Sequence, residues 1–154
     1  MSYHIRSGEV QGSVCVLDKK DRILFSGDSI SNDIWLFQKE STTVNTFIDS
    51  MLKVKKRKSE FDGIVFSHSP VVFKTTILEK ILTCLKNIDI KKSEKCNIHL
   101  AGKALVYSEG FDKLRMKYGY KNYAEYREHM HEIDQKDMAD GEFISIAYSK
   151  RSLG

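Results

Sequence analysis

The sequence predicts an α/β fold. Three observations carry this: two β-rich segments near the start are separated by a short charged turn, two amphipathic helical segments flank an apolar strand, and a clearly alternating strand lies near the end. The order β, β, α, β, α sets helices against a sheet and excludes both a helical bundle and an all-β sandwich.

Residues 13–18, SVCVLD, are β-branched and apolar and read as a strand. KKDR, residues 19–22, is a charged turn, and ILFSG, residues 23–27, is a second strand, so the pair forms a hairpin. Residues 42–57 read as a helix, because Val44, Phe47, Ile48, Met51 and Leu52 recur at helical spacing. Ser41 or Thr42 can cap it by accepting an orphan backbone N–H. FDGIVF, residues 61–66, is a short strand. A second helix covers about 75–87, with Ile77, Leu78, Ile81, Leu82 and Leu85 on one face and Thr76 and Glu79 at capping-box spacing. Residues 98–107 are a strand or a loop leading into one, and FISIAY, residues 143–148, is a strand that pairs with about 103–107. The charged, aromatic stretch between them, residues 108–141, is a helical excursion. In it Tyr123, Tyr126, Met130 and Ile133 form a core-facing stripe, and Asn122 with Glu125 supplies a cap.

At 154 residues the chain fits one domain. A chain of this size buries roughly 70% of its unfolded surface and needs no disulfide or metal to fold. Hydrophobic residues are 41% and charged residues 30%, an ordinary globular balance. No apolar run approaches the ~20 residues of a membrane span, and the opening residues carry no apolar signal-like core. The cysteines, Cys15, Cys84 and Cys96, are odd in number and widely spaced, which argues against a disulfide framework or a Cys-rich zinc module. A cytoplasmic location is the expectation. The net charge of +4 is mildly basic. KVKKRK, residues 53–58, suits the solvated C-terminal turn of a helix, or alternatively a phosphate-binding or localisation patch. Without a base-stacking or RNA-binding motif beside it, nucleic acid is not an expected partner.

Two strands end in residues able to ligate a metal. Asp28 follows Gly27 after one strand, and His68, before Ser69 and Pro70, follows another. Ligand sites in open α/β sheets collect beyond the carboxyl ends of strands, and a carboxylate with an imidazole there could hold zinc or a similar ion. Each also has a plain structural reading, Asp28 as a turn former and His68 as a loop residue.

The ordered combination SVCVLDKKDRILFSGDSI, WLFQKEST, an amphipathic helix and FDGIVFSHSP resembles the metallo-β-lactamase fold superfamily over about residues 4–88. It looks most like the C-terminal half of the small hydrolase members. There a "GHTPGS" turn, a hairpin ending "LFTGD", a helix and a strand ending "PGHGP" follow one another. GKALVY and ISIAYSK are similar to the closing strands of such proteins. The resemblance implies half of an αββα sandwich: one partial domain over residues 1–154, with a helical insertion at about 108–141. It implies that Asp28 matches the aspartate that bridges two metal ions and that His68 matches the last metal-binding histidine. In GEVQGS, residues 8–13, Glu9 stands where the family has histidine, a longer and charged ligand. Zinc or another divalent metal, weakly bound, is the implied cofactor.

The superfamily's HxHxDH motif, which supplies most metal ligands, has no counterpart in the chain. HMHEID, residues 129–134, begins as H-x-H but continues with Ile133 and Asp134. On its predicted helix, His129 and His131 would point about 200° apart, so both read as surface residues. His4 and His99 are weak candidates, His99 reading as a structural histidine in an apolar run. No nucleophile motif, phosphate loop or GxGxxG is present, so catalytic residues are unassigned.

Several functions follow as expectations. One is a degenerate or truncated metallo-β-lactamase-fold protein, non-catalytic alone, acting by association with itself as a homo-oligomer or with a complementary chain. A half-sandwich leaves an apolar face for a partner to cover. A second is a metal-dependent zinc hydrolase with an incomplete or shared active site. A third is a fragment with no selected activity. Nucleic-acid binding through residues 53–58 is a fourth.

Overall fold

The computed structural model describes residues 5–7, 13–98 and 101–154. The chain is α/β, as expected, and builds two sheets. The first contains β1 (Ile5–Ser7), β2 (Ser13–Asp18), β3 (Ile23–Gly27), β5 (Gly63–Phe66) and β6 (Val72–Lys74), in the order β1-β2-β3-β5-β6. The second contains β4 (Asp33–Leu36), β7 (Glu94–Ile98), β8 (Gly102–Glu109) and β9 (Ile144–Tyr148), in the order β4-β9-β8-β7. Helix α1 (Val44–Lys56) crosses from β4 to β5, and α2 (Ile77–Lys86) follows β6.

The two helices lie between the sheets. Cys15, Leu17, Leu24, Ile64 and Phe73 from the first sheet share one apolar cluster with Phe47, Met51 and Val54 of α1. The same cluster takes in Ile77, Ile81 and Leu85 of α2 and Ile144, Ile146 and Tyr148 of β9. Beyond the second sheet lie α3 (Phe111–Tyr118), α4 (Tyr123–His129) and α5 (Gln135–Ala139). Ala104, Val106 and Ala147 meet Leu114, Tyr123, Tyr126, Ile133 and Phe143 there. The second sheet is therefore covered on both faces along β9, every residue of which is buried, while Lys95, Asn97 and Lys103 toward its β7 edge stay exposed.

Among the described residues, the first sheet is covered on one face. Strand alternation sends Cys15, Leu17 and Leu24 inward and leaves Val14, Val16, Phe25 and Val72 between 39% and 49% exposed. Register joins them into a row, since Val16 opposes Phe25, Phe25 opposes Val65 and Val65 opposes Val72. A sheet carrying helices on one side and an open apolar row on the other has the arrangement a half-sandwich requires.

Local details correct some expectations and bear out others. Thr43, not Ser41 or Thr42, caps α1 by accepting from the Thr46 N–H. Thr76 is already helical and makes no side-chain cap. Asn122 caps α4, accepting from the Glu125 N–H. The strand expected over 98–107 is two strands, β7 and β8, paired as a hairpin. The pairing of β8 with β9 sets Leu105 opposite Tyr148 and Tyr107 opposite Ile146. The stretch expected to be helical, residues 108–141, contains α3, α4 and α5.

Candidate metal centre

Parallel pairing of β3 and β5 brings Asp28 and His68 together. Leu24 opposes Ile64, Phe25 opposes Val65 and Gly27 opposes Phe66, so the carboxyl ends of both strands lie side by side. At Gly27 the backbone turns with φ +58°, a left-handed conformation that glycine adopts without strain. The turn is held from below. Buried Ser26 places its hydroxyl 3.0 Å from the Ile30 carbonyl and 3.1 Å from that of Val65. The Ser67 N–H donates to the Gly27 carbonyl at 2.9 Å, tying the two strand ends to each other.

His68 Nε2 lies 3.0 Å from Asp28 Oδ1, with both side chains largely in solvent. The Phe66 ring meets the imidazole edge-on at 5.5 Å between centroids and limits its orientation. That separation is a direct ion-pair contact; it is also near the roughly 3.3 Å between two donors on one zinc ion, whose bonds of about 2.0–2.1 Å are set tetrahedrally. The donor number does not suit it. Among the described residues no group of three or more His, Cys, Asp and Glu side chains could hold a metal. Glu9, the third expected ligand, lies outside the described residues, as do His4 and His99. His129 and His131 are exposed, as expected, and lie on the far side of the second sheet, in the α4 region. Asp28 and His68 thus form a geometric pair that does not amount to a metal site by itself.

The other expected residues have structural places. Cys15 is fully buried in the core. Lys53, Lys55 and Lys56 occupy the last turn of α1, where cations complement the helix dipole. Lys55 pairs with Glu79 of α2 at 2.9 Å, and Arg57 chelates Glu60. Two features go beyond the sequence analysis. One is the makeup of the open row on the first sheet: an uncovered apolar face was expected, but not the residues that form it, although their signal was present in SVCVLD, which has apolar residues at both alternating sets of positions. The other is the buried carboxylate of Asp33, which nothing in its local sequence marks.

No family model matches the chain, and no curated protein matches it. Among solved structures it is similar to a metallo-beta-lactamase from Pontibacter korlensis, at 20% identity and a TM-score of 0.46. The match covers 56% of this chain and 41% of that one, so the chain spans less than half of that structure's length.

Proposed function

We propose that this chain works by association with a second copy of itself through the open face of the first sheet, and that it is no catalyst alone. The observation that carries the reading is the uninterrupted row Val16–Phe25–Val65–Val72, with Val14 beside it. An exposed large apolar side chain is ordinary when isolated. A contiguous set on one sheet face favours burial against another polypeptide. A flat apolar row is self-complementary, and two such sheets stack at about 10 Å. A two-fold axis running along the strands would overlay β3 and β5 of one copy on β5 and β3 of the other. That arrangement sets the two Asp28–His68 pairs at the same edge of the interface.

Sedimentation of the purified chain tests this. The expected result is a reversible dimer that dissociates on dilution. Phe25→Glu places a charge in the interface twice and forfeits about 3 kcal/mol of apolar burial and more in desolvation. The dissociation constant should rise by at least roughly 100-fold. A wild-type chain that stays monomeric up to its solubility limit would overturn the second copy as occupant and leave a complementary chain to be sought.

A second reading, a metal-dependent hydrolase with a shared site, is favoured by the 3.0 Å approach of His68 to Asp28. A catalytic zinc usually takes three protein ligands and a water, and this pair supplies two donors. The isolated chain is therefore expected to hold zinc weakly. Alanine at Asp28 or His68 should remove what affinity there is, as measured by metal titration. Two tightly held ions per chain, with hydrolysis lost in both variants, would establish the hydrolase instead.

A further inference from the structure

A cationic groove lies on the second sheet. Lys95 and Asn97 of β7, Lys103 and Leu105 of β8, Tyr148 at the end of β9 and Lys150 beyond it line an open cavity of about 610 Å³. That volume falls within the roughly 300–1,000 Å³ of small-molecule clefts. Three lysines border it and no carboxylate does, among the described residues.

The sheet register explains how the lysines converge. Lys95 opposes Leu105, Asn97 opposes Lys103, and Leu105 opposes Tyr148. Lys95 and Lys103 are thus diagonal neighbours across the β7–β8 ladder, and Lys150 follows Tyr148 by two residues at the same end. Like charges so placed repel. All three lysines are exposed. The lysine ion pairs of the described residues are made elsewhere, by Lys55, Lys74, Lys113 and Lys117. Glu94, the nearest acid in sequence, is drawn away: its carboxylate accepts the Tyr123 N–H of α4 at 3.0 Å. The floor is Leu105 and the buried Tyr148, whose hydroxyl is fixed 2.7 Å from that of Ser93.

A cleft of this size, with three unneutralised ammonium groups above an apolar floor and an amide at its edge, suits a compact anion of several charges. Ammonium groups bind phosphate oxygens as charge-assisted donors, and a bound anion would relieve the repulsion between them. We infer that this groove binds an oligophosphate group, free or carried by a nucleotide. The groove shares no residue with the open row of the first sheet, so this inference stands apart from the association proposed above.

Calorimetric titration with inorganic tripolyphosphate, and in parallel with adenosine triphosphate, in metal-free buffer is the test. The wild-type chain should bind with an affinity that falls as salt rises. Lys103→Gln should weaken binding about tenfold, and the Lys95→Gln/Lys150→Gln pair about 100-fold, each with an unchanged melting temperature. Lys53→Gln/Lys56→Gln on α1 lowers net charge by the same amount as the pair and should leave binding intact. Equal affinity for both probes assigns recognition to the phosphates. Tighter nucleotide binding adds a contact to the floor, and either result supports the groove. No binding to the wild-type chain, or equal losses in the α1 variant, would overturn it.

Discussion

Alanine at Gly110 is expected to destabilise the protein by about 3 kcal/mol or more. Gly110 joins β8 to α3 with φ +75°. A Cβ there would sit 1.7 Å from the Glu142 carbonyl oxygen, 2.8 Å from its carbon and 3.3 Å from Phe143 Cα. These are backbone atoms, so no rotamer change clears them. The chain leading into β9 would have to move, carrying Phe143 from its seat 4.5 Å from the Tyr126 ring. The left-handed backbone alone costs a side chain roughly 1–2 kcal/mol, and overpacking adds about 1–3. Gly119 is the matched control. It has φ +78° and nothing within 4 Å of a built Cβ. Gly119→Ala should therefore lose only about 1 kcal/mol. Urea midpoints for the two variants measure the difference. If Gly110→Ala were no worse than Gly119→Ala, the close approach of β8 and the β9 entry would be wrong.

Elements with a strong period were legible in the sequence, and those held by pairing alone were not. Helices α1 and α2 declare themselves because their apolar residues must face the space between two sheets. The β2–β3 hairpin and β9 declare themselves through β-branched and apolar content. Strands β4, β6 and β7 do not. The first two are three or four residues long, and β7, EKCNI, carries polar residues because its Lys95 and Asn97 border an open groove. The parallel β3–β5 pairing is also invisible locally, since α1 intervenes, yet it decides the site. The sequence suggested that Asp28 and His68 each follow a strand, and the sheet order makes those strands neighbours.

The two sheets differ in what they leave undone. Strand β9 has apolar company on both faces, from α2 on one side and the tyrosine-bearing helices on the other. Strands β2, β3 and β6 have it on one face, yet their outward positions remain valine and phenylalanine. Polar residues there would be the ordinary choice for a sheet face in water. Apolar side chains at Val14, Val16, Phe25 and Val72 therefore fit a sheet that functions covered. In the association proposed above, Asp28 and His68 would lie at the rim of the contact, where a second chain could add ligands that the described residues of this one do not bring together.

Asp33→Ala is expected to cost about 3 kcal/mol or more, and to act on the opposite side of the molecule from that contact. Asp33 opens β4, and its carboxylate is only 8% exposed. Oδ1 accepts from the Tyr123 hydroxyl and the Ser145 hydroxyl, both at 2.9 Å, and Oδ2 accepts from Arg127 Nη1 at 2.9 Å. Burial pushes the Asp33 carboxyl above its usual range, while Arg127 and the two hydroxyls act in the opposite sense. Burial, followed by the neighbouring Asp33 charge, also raises the Tyr123 phenol, so it stays a donor. Arg127 in turn lies over the Trp35 ring at 4.9 Å. One carboxylate thus fastens α4 to β4 and β9. Alanine would strand a partly buried cation and two hydroxyls, and removing one member of such a pair costs about 3–5 kcal/mol. The lower end applies because Arg127 remains 33% exposed. Asp33→Asn retains an acceptor for the hydroxyls and should lose less. Arg127→Ala combined with Asp33→Ala should cost less than the sum of the single variants, since the contact is counted once. Urea unfolding followed by tyrosine near-ultraviolet dichroism reads both stability and the seating of α4. A loss under about 1 kcal/mol for Asp33→Ala would mean the carboxylate does not hold the helix. Because the network faces away from the open row, folded Asp33→Ala should dimerise as the wild type does; dissociation by this variant alone would move the interface to the second sheet.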